Sequence, residues 1–179
     1  YAPYWKLHGH EMCFGAVAEP DRERRERFAE EYKIPQEGIF ERAEDFFAAP
    51  KVCHGVMICT QDTRHFEFAC RAVRQGYKIL LEKPISPDIR ECLELQRLAE
   101  EYKAEIMVCH VMRYTKFYRT IKKLLEEKAI GEVVSIVHTE NVGYWHYAHS
   151  YVRGNWHRRE DSSPMILAKC CHDMDILFW

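Results

Sequence analysis

Short apolar runs that alternate with amphipathic segments, joined by links of a few residues, leave this chain few ways to fold. Apolar runs lie within residues 11–21 (EMCFGAVAEPD), at the start of 38–50 (GIFERAEDFFAAP), at 52–60 (VCHGVMICT), at 77–84 (YKILLEKP) and at 104–113 (AEIMVCHVMR). Between them come segments of helical period. Residues 22–34 place Phe28, Ala29 and Tyr32 on one face, 38–50 close in a helical turn before Pro50, and 62–76, 86–103 and 117–131 are longer helices. Asp62 reads as a helix N-cap, Gly76 and Gly131 stand where C-terminal glycines belong, and Ser86 before Pro87 opens the fourth helix. The strands are apolar on both faces, so the pattern predicts a parallel sheet covered by helices on each side.

After Gly131 the pattern changes. Residues 132–147 (EVVSIVHTENVGYWHY) alternate in part, as in an antiparallel sheet with one wet face. The domain boundary therefore falls within 114–131, and we divide the chain into residues 1–118 and residues 119–179.

At 47% hydrophobic and 30% charged, the 179 residues have the balance of a globular protein, and a net charge of -2 offers little attraction for nucleic acid or anionic membranes. No apolar run approaches the ~20 residues of a membrane helix. The eight cysteines form no C-x-x-C, and most sit inside apolar runs, which suits a reducing cytoplasm. Cys170, Cys171 and His172 adjoin, but vicinal cysteines rarely supply two ligands to one structural ion, so no metal site is expected. The chain starts at Tyr1 and stops at Trp179 inside the apolar run DILFW, so we expect an internal piece of a longer protein.

Four stretches, AEPDRERRERFAEEY, ICTQDTRHFEFACRAVRQGYKILLEKPIS, VMRYTKFYRTIKKLLEEKAIGEV and HDMDILFW, resemble in their order the Gfo/Idh/MocA oxidoreductases, the glucose–fructose oxidoreductase and inositol dehydrogenase group. The resemblance covers nearly the whole chain, and its most specific motif is Glu82-Lys83-Pro84 after a helix carrying T-x-x-x-x-H. It implies a Rossmann domain, here without its first strand and Gly-rich loop, followed by part of an α/β domain with an open, mostly antiparallel sheet. The absent strand is central in the Rossmann order, so a gap is expected between the strands at 11–18 and 52–59. It also implies NAD as cofactor, a carbohydrate-like small-molecule substrate, a cis Lys83–Pro84 bond and a homo-oligomer built through the C-terminal sheet.

Glu19 ends the first strand, where an acid accepts both hydroxyls of the adenosine ribose and repels a 2′-phosphate. That favours NAD, while neighbouring Arg22 would favour NADP; the plain alternative is an acid facing solvent. Thr60, Gln61, Asp62 and His65 follow the third strand, at the sheet edge where open α/β folds bind ligands. The family usually reads T-P-N-x-x-H there, so Gln61 and Asp62 depart from it. By resemblance Thr60, Asp62, His65, Glu82 and Pro84 lie along the nicotinamide ribose. A lysine in a desolvated pocket beside a positive nicotinamide ring gives up its proton readily, so Lys83 at the strand end suits exchange of a substrate hydroxyl proton. Arg113 either contacts the cofactor or fixes the domain junction.

The family's G-G-G-x-x-x-D-x-G-x-H-x-x-D appears here as residues 162–175, with His172 and Asp175 in place. Ala168 stands where the first Asp is usual, and residues 168 and 172 share one helix face. His172 is the expected acid/base partner of Lys83. Lys169 either faces the pocket, where it would lower the histidine's pKa or grip an acidic substrate, or pairs with Asp173 one turn on. Tyr144 and Trp156, in a stretch rich in aromatics and arginine, suit sugar stacking or a subunit interface. The expected activity is an NAD(P)-dependent oxidoreductase acting on a sugar, polyol or related hydroxyl compound. The alternatives are an NAD-dependent glycosidase of the same fold and a dinucleotide-binding sensor or scaffold without turnover, the latter suggested by Ala168.

Overall fold

The computed structural model describes residues 1–179. Five short strands form two parallel sheets. β1 (Val17–Ala18) pairs with β2 (Ile39–Phe40), and β3 (Gly55–Ile58), β4 (Lys78–Leu81) and β5 (Ile106–Val108) form the order β3-β4-β5. The two sheets do not pair with each other, which leaves the gap expected between residues 11–18 and 52–59.

Helices fill the crossovers: α2 (Arg22–Tyr32), α3 (Ala43–Ala48), α4 (His65–Arg74) and α5 (Ile89–Tyr102). α4 carries the main core. Ala69 and Ala72 are 0% exposed, and their small side chains let the helix lie close to β4, where Ile79 and Leu81 are also buried. Burying Leu81 and Val73 contributes about 1.5–3 kcal/mol each. A second cluster of Ala29, Tyr32 and Ile34, with Phe14, Phe28 and Trp5 against it, holds α2 to the smaller sheet. Trp5 lies on α1 (Pro3–His8), a helix that the sequence pattern did not suggest.

Local signals explain where the helices start and stop. Asp21 and Asp88 accept from the N–H groups of Arg24 and Arg90 at the starts of α2 and α5. Asp88, not Ser86, is thus the cap of α5; Ser86 instead donates to Glu91 and accepts from the Asp88 N–H. Lys33 and Lys103 close those helices in the left-handed conformation, and Gly76 (φ +68°) and Gly131 (φ +78°) adopt it as expected. Asp62 does not cap α4. Its carboxylate turns away from the helix, as described below.

After α6 (Lys116–Glu126) the expected antiparallel strand over 132–147 does not form. Residues 132–143 hold no strand, because no segment of this chain lies alongside to pair with their backbone. The C-terminal sheet through which an oligomer was expected is therefore not found in these residues. A short helix α7 (Tyr144–Tyr147), a π-helical turn (Ala148–Arg153) and the long helix α8 (Met165–Phe178) complete the chain. The division at residues 118 and 119 falls inside α6.

Candidate active site at the carboxyl edge of the sheet

Because β3, β4 and β5 run parallel, their carboxyl ends share one edge. Three loops leave it, at residues 59–65, 82–85 and 109–114, and α8 packs against the last of them. The Lys83–Pro84 bond is cis. Lys83 is half-buried, and its amine reaches across to donate to the Ala168 carbonyl of α8 at 3.2 Å. Strand end and helix, 85 residues apart in sequence, are thus joined by this one side chain.

One turn along α8, His172 is half-buried, and its Nδ1 has no hydrogen-bond partner. Burial, and then the Lys83 ammonium beside it, hold its pKa below the ordinary 6.5. His110, just past β5, meets it edge to face with ring centroids 5.9 Å apart. The His110 Nδ1 is likewise buried without a partner, and burial lowers its pKa too. Asp175 anchors this pair from below. It accepts a two-pronged fork from Arg113 at 2.7 and 2.6 Å, and the His110 Nε2 stands 3.8 Å away.

Two further contacts hold the loops. His65, 1% exposed, has its Nδ1 2.8 Å from the Pro84 carbonyl and its Nε2 3.0 Å from the Thr60 carbonyl. Asp62, 3% exposed, accepts from the Trp156 indole N–H at 3.2 Å and from the Ser163 hydroxyl and N–H. Glu82 accepts from the Tyr1 hydroxyl at 2.6 Å and from the Lys83 N–H at 3.1 Å.

A family model described as an oxidoreductase family with an NAD-binding Rossmann fold matches residues 1–110. The chain belongs to the Gfo/Idh/MocA oxidoreductase family. An inositol 2-dehydrogenase of Corynebacterium glutamicum is 29% identical over 168 residues, 92% of this chain and 45% of that protein. The crystal structure of the WlbA dehydrogenase from Chromobacterium violaceum, in complex with NADH and UDP-GlcNAcA, superposes with a TM-score of 0.77 at 19% identity, over 99% of this chain and 50% of that one. A myo-inositol 2-dehydrogenase from Lactobacillus plantarum gives 0.76 at 19% identity, over 92% and 47%. The chain spans 24% to 45% of the length of the first curated relatives it matches.

Of the residues singled out in the sequence, the structure brings Thr60, Asp62, His65, Glu82, Lys83 and Pro84 to the loops of this edge, with His172 and Lys169 on α8. Lys169 is half-buried and does not pair with Asp173, which binds His138 at 2.6 Å instead. Arg113 takes the junction position through Asp175. Asp62 and Trp156 face each other, so Trp156 braces a loop and does not offer its indole N–H to a ligand. Both ring nitrogens of His65 are engaged by backbone. Tyr144 is 78% exposed on α7, outside this cluster. Glu19 lies at the end of β1. One of its carboxylate oxygens accepts from the Asp21 N–H, while Arg22 turns away to Glu26. Sequence reading missed His110; its signal was a polar ring closing an apolar strand beside the one that ends in Lys83.

Proposed function

We propose that the full-length protein is an NAD(P)-dependent oxidoreductase of sugars, polyols or related hydroxyl compounds, and that Lys83 and His172 handle the substrate hydroxyl proton. The observation that carries this reading is the Lys83 amine bound to the Ala168 carbonyl, which puts it in the half-buried space occupied by the His172 ring.

The edge fits a dinucleotide. The Gln61 Oε1, His110 Nδ1 and His172 Nδ1 are buried without partners in the chain, and such orphaned groups suit a polar ligand. Glu19 would hold the adenosine ribose, and the Thr60–Gln61 loop with Glu82 the nicotinamide half. The nicotinamide supplies the hydride acceptor when bound. Lys83 donates to the substrate oxygen and stabilises negative charge there. His172, whose pKa lies below 6.5, is a neutral base at pH 7 and accepts the hydroxyl proton. Arg113 and Asp175 hold α8, and so the imidazole, against the strand ends.

The test is formation of reduced nicotinamide by the full-length protein with a panel of polyols and sugars. Turnover supports the reading, and His172→Asn is expected to lower it by about 10²–10⁴-fold. An aglycone released from a glycoside, with no net reduction of NAD, would overturn it.

A further inference from the structure

We propose that His110 carries the substrate proton away from His172, so that the site relays it from the substrate oxygen through two imidazoles to water. The inference rests on the oxidoreductase reading above and deepens it. The two rings meet edge to face, with centroids 5.9 Å apart, and each has a buried Nδ1 without a partner. One bridging water finds a partner at each end, and proton transfer works across one such water.

The other neighbours of His172 are poor acceptors. Lys83 is a donor, bound to the Ala168 carbonyl. Ala168, one turn back, is 1% exposed and has no titratable group, and Asp173 is held by His138 at 2.6 Å. His110, in contrast, reaches two sides. Its side chain keeps 23% of its surface exposed, and with Met107, Arg113 and Tyr114 it lines an open groove of about 250 Å³ that His172 does not reach. Asp175 Oδ1 stands 3.8 Å from the His110 Nε2, near enough to stabilise the imidazolium but too far to trap its proton in a hydrogen bond. Burial lowers the pKa of both rings; next in order, Asp175 draws that of His110 up and Lys83 pushes that of His172 further down. Passage from 172 to 110 is therefore favoured.

In the relay, His172 accepts the hydroxyl proton at Nε2 and releases the proton on Nδ1. His110 takes that proton at Nδ1 and gives the one on Nε2 to water in the groove. One N–H bond forms and one breaks on each ring, so neither ring keeps a charge. The hydride leaves separately, to the nicotinamide, and exchange with water restores the starting tautomers.

The experiment follows a single turnover of the full-length protein with NAD and myo-inositol or glucose in weak buffer. Absorbance reads reduced nicotinamide, and a pH indicator reads released protons. His110→Phe keeps a ring against His172 but has no nitrogen. Its first hydride transfer is expected at the wild-type rate, while proton release and kcat fall roughly 10-fold or more. KM should hold, and added imidazole should restore kcat saturably. His110→Gln, smaller than Phe, should behave alike. A second readout needs no substrate: exchange of the His172 ring N–H with water, by NMR of the histidine-labelled protein, should slow in both variants. Proton release and exchange at wild-type rates overturn the relay and leave the oxidoreductase reading standing. Loss of hydride transfer itself, without imidazole rescue, makes His110 a packing residue and also overturns the relay. If no polyol or sugar is oxidised but the exchange slows, the proton path stands and the oxidoreductase reading falls. Neither turnover nor slowed exchange overturns both.

Discussion

His172 and His110 are two imidazoles that the fold buries side by side without giving either Nδ1 a partner. Burial penalises their charged forms, so both folded-state pKa values lie below the 6.5 of the exposed ring. The unfolded chain then binds more protons than the folded one once the pH falls below about 6.5, and stability drops with it. Urea unfolding of the full-length protein should therefore show stability level between about pH 7 and 8 and declining from about pH 6.5 toward the lowered folded values. The variant with both His110→Gln and His172→Gln should flatten that part of the curve. At the same scale, Asp62 shows why a residue's neighbours in sequence misled. Its position at the start of α4 reads as a cap, yet the carboxylate is buried by Trp156 and Ser163, about a hundred residues on. A local pattern cannot show that a distant indole competes for the same oxygen.

Among the elements, those set by local chemistry were legible. β3, β4 and β5 follow from their apolar runs, α2 and α5 from their helical period, and the turns at Gly76 and Gly131 from the need for positive φ. The strand ends that carry Lys83 and the Thr60 loop were placed correctly because a parallel sheet puts all its carboxyl ends on one edge. Segments that depend on partners were not legible. Residues 132–143 alternate as a strand does, but a strand without a neighbour has no ladder, and Val134 and Val137 stay more than 90% exposed. α1 lacks a side-chain cap and forms with Trp5 edge-on to Tyr32, 5.5 Å between ring centroids. α8 depends on the Arg113 fork, across 62 residues. Arg113→Met leaves the Asp175 carboxylate, 8% exposed, without its partner. The expected loss is about 1.5–3 kcal/mol in urea denaturation, with hydrogen exchange rising in α8 before it rises in α4.

For the whole molecule, two parallel sheets with helices in the crossovers make a Rossmann-like frame, and the chain's catalytic reading depends on what that frame brings to one edge. Glu19, at the end of β1 in the other sheet from the strand that leads into Lys83, is read as the cofactor-selecting acid. Repulsion between a carboxylate and a phosphate ~4 Å apart in water is about 1 kcal/mol per charge pair, a factor of about five. Glu19→Ala in the full-length protein should reduce the preference for NAD over NADP by at least that factor in kcat/KM; an unchanged ratio would remove Glu19 from the site. The most direct test of the shared pocket of Lys83 and His172 is chemical rescue. Lys83→Ala should lower turnover about 10²–10⁴-fold with little change in Tm, and added methylamine should restore part of it, saturably. Turnover by Lys83→Ala at the wild-type rate would contradict the account.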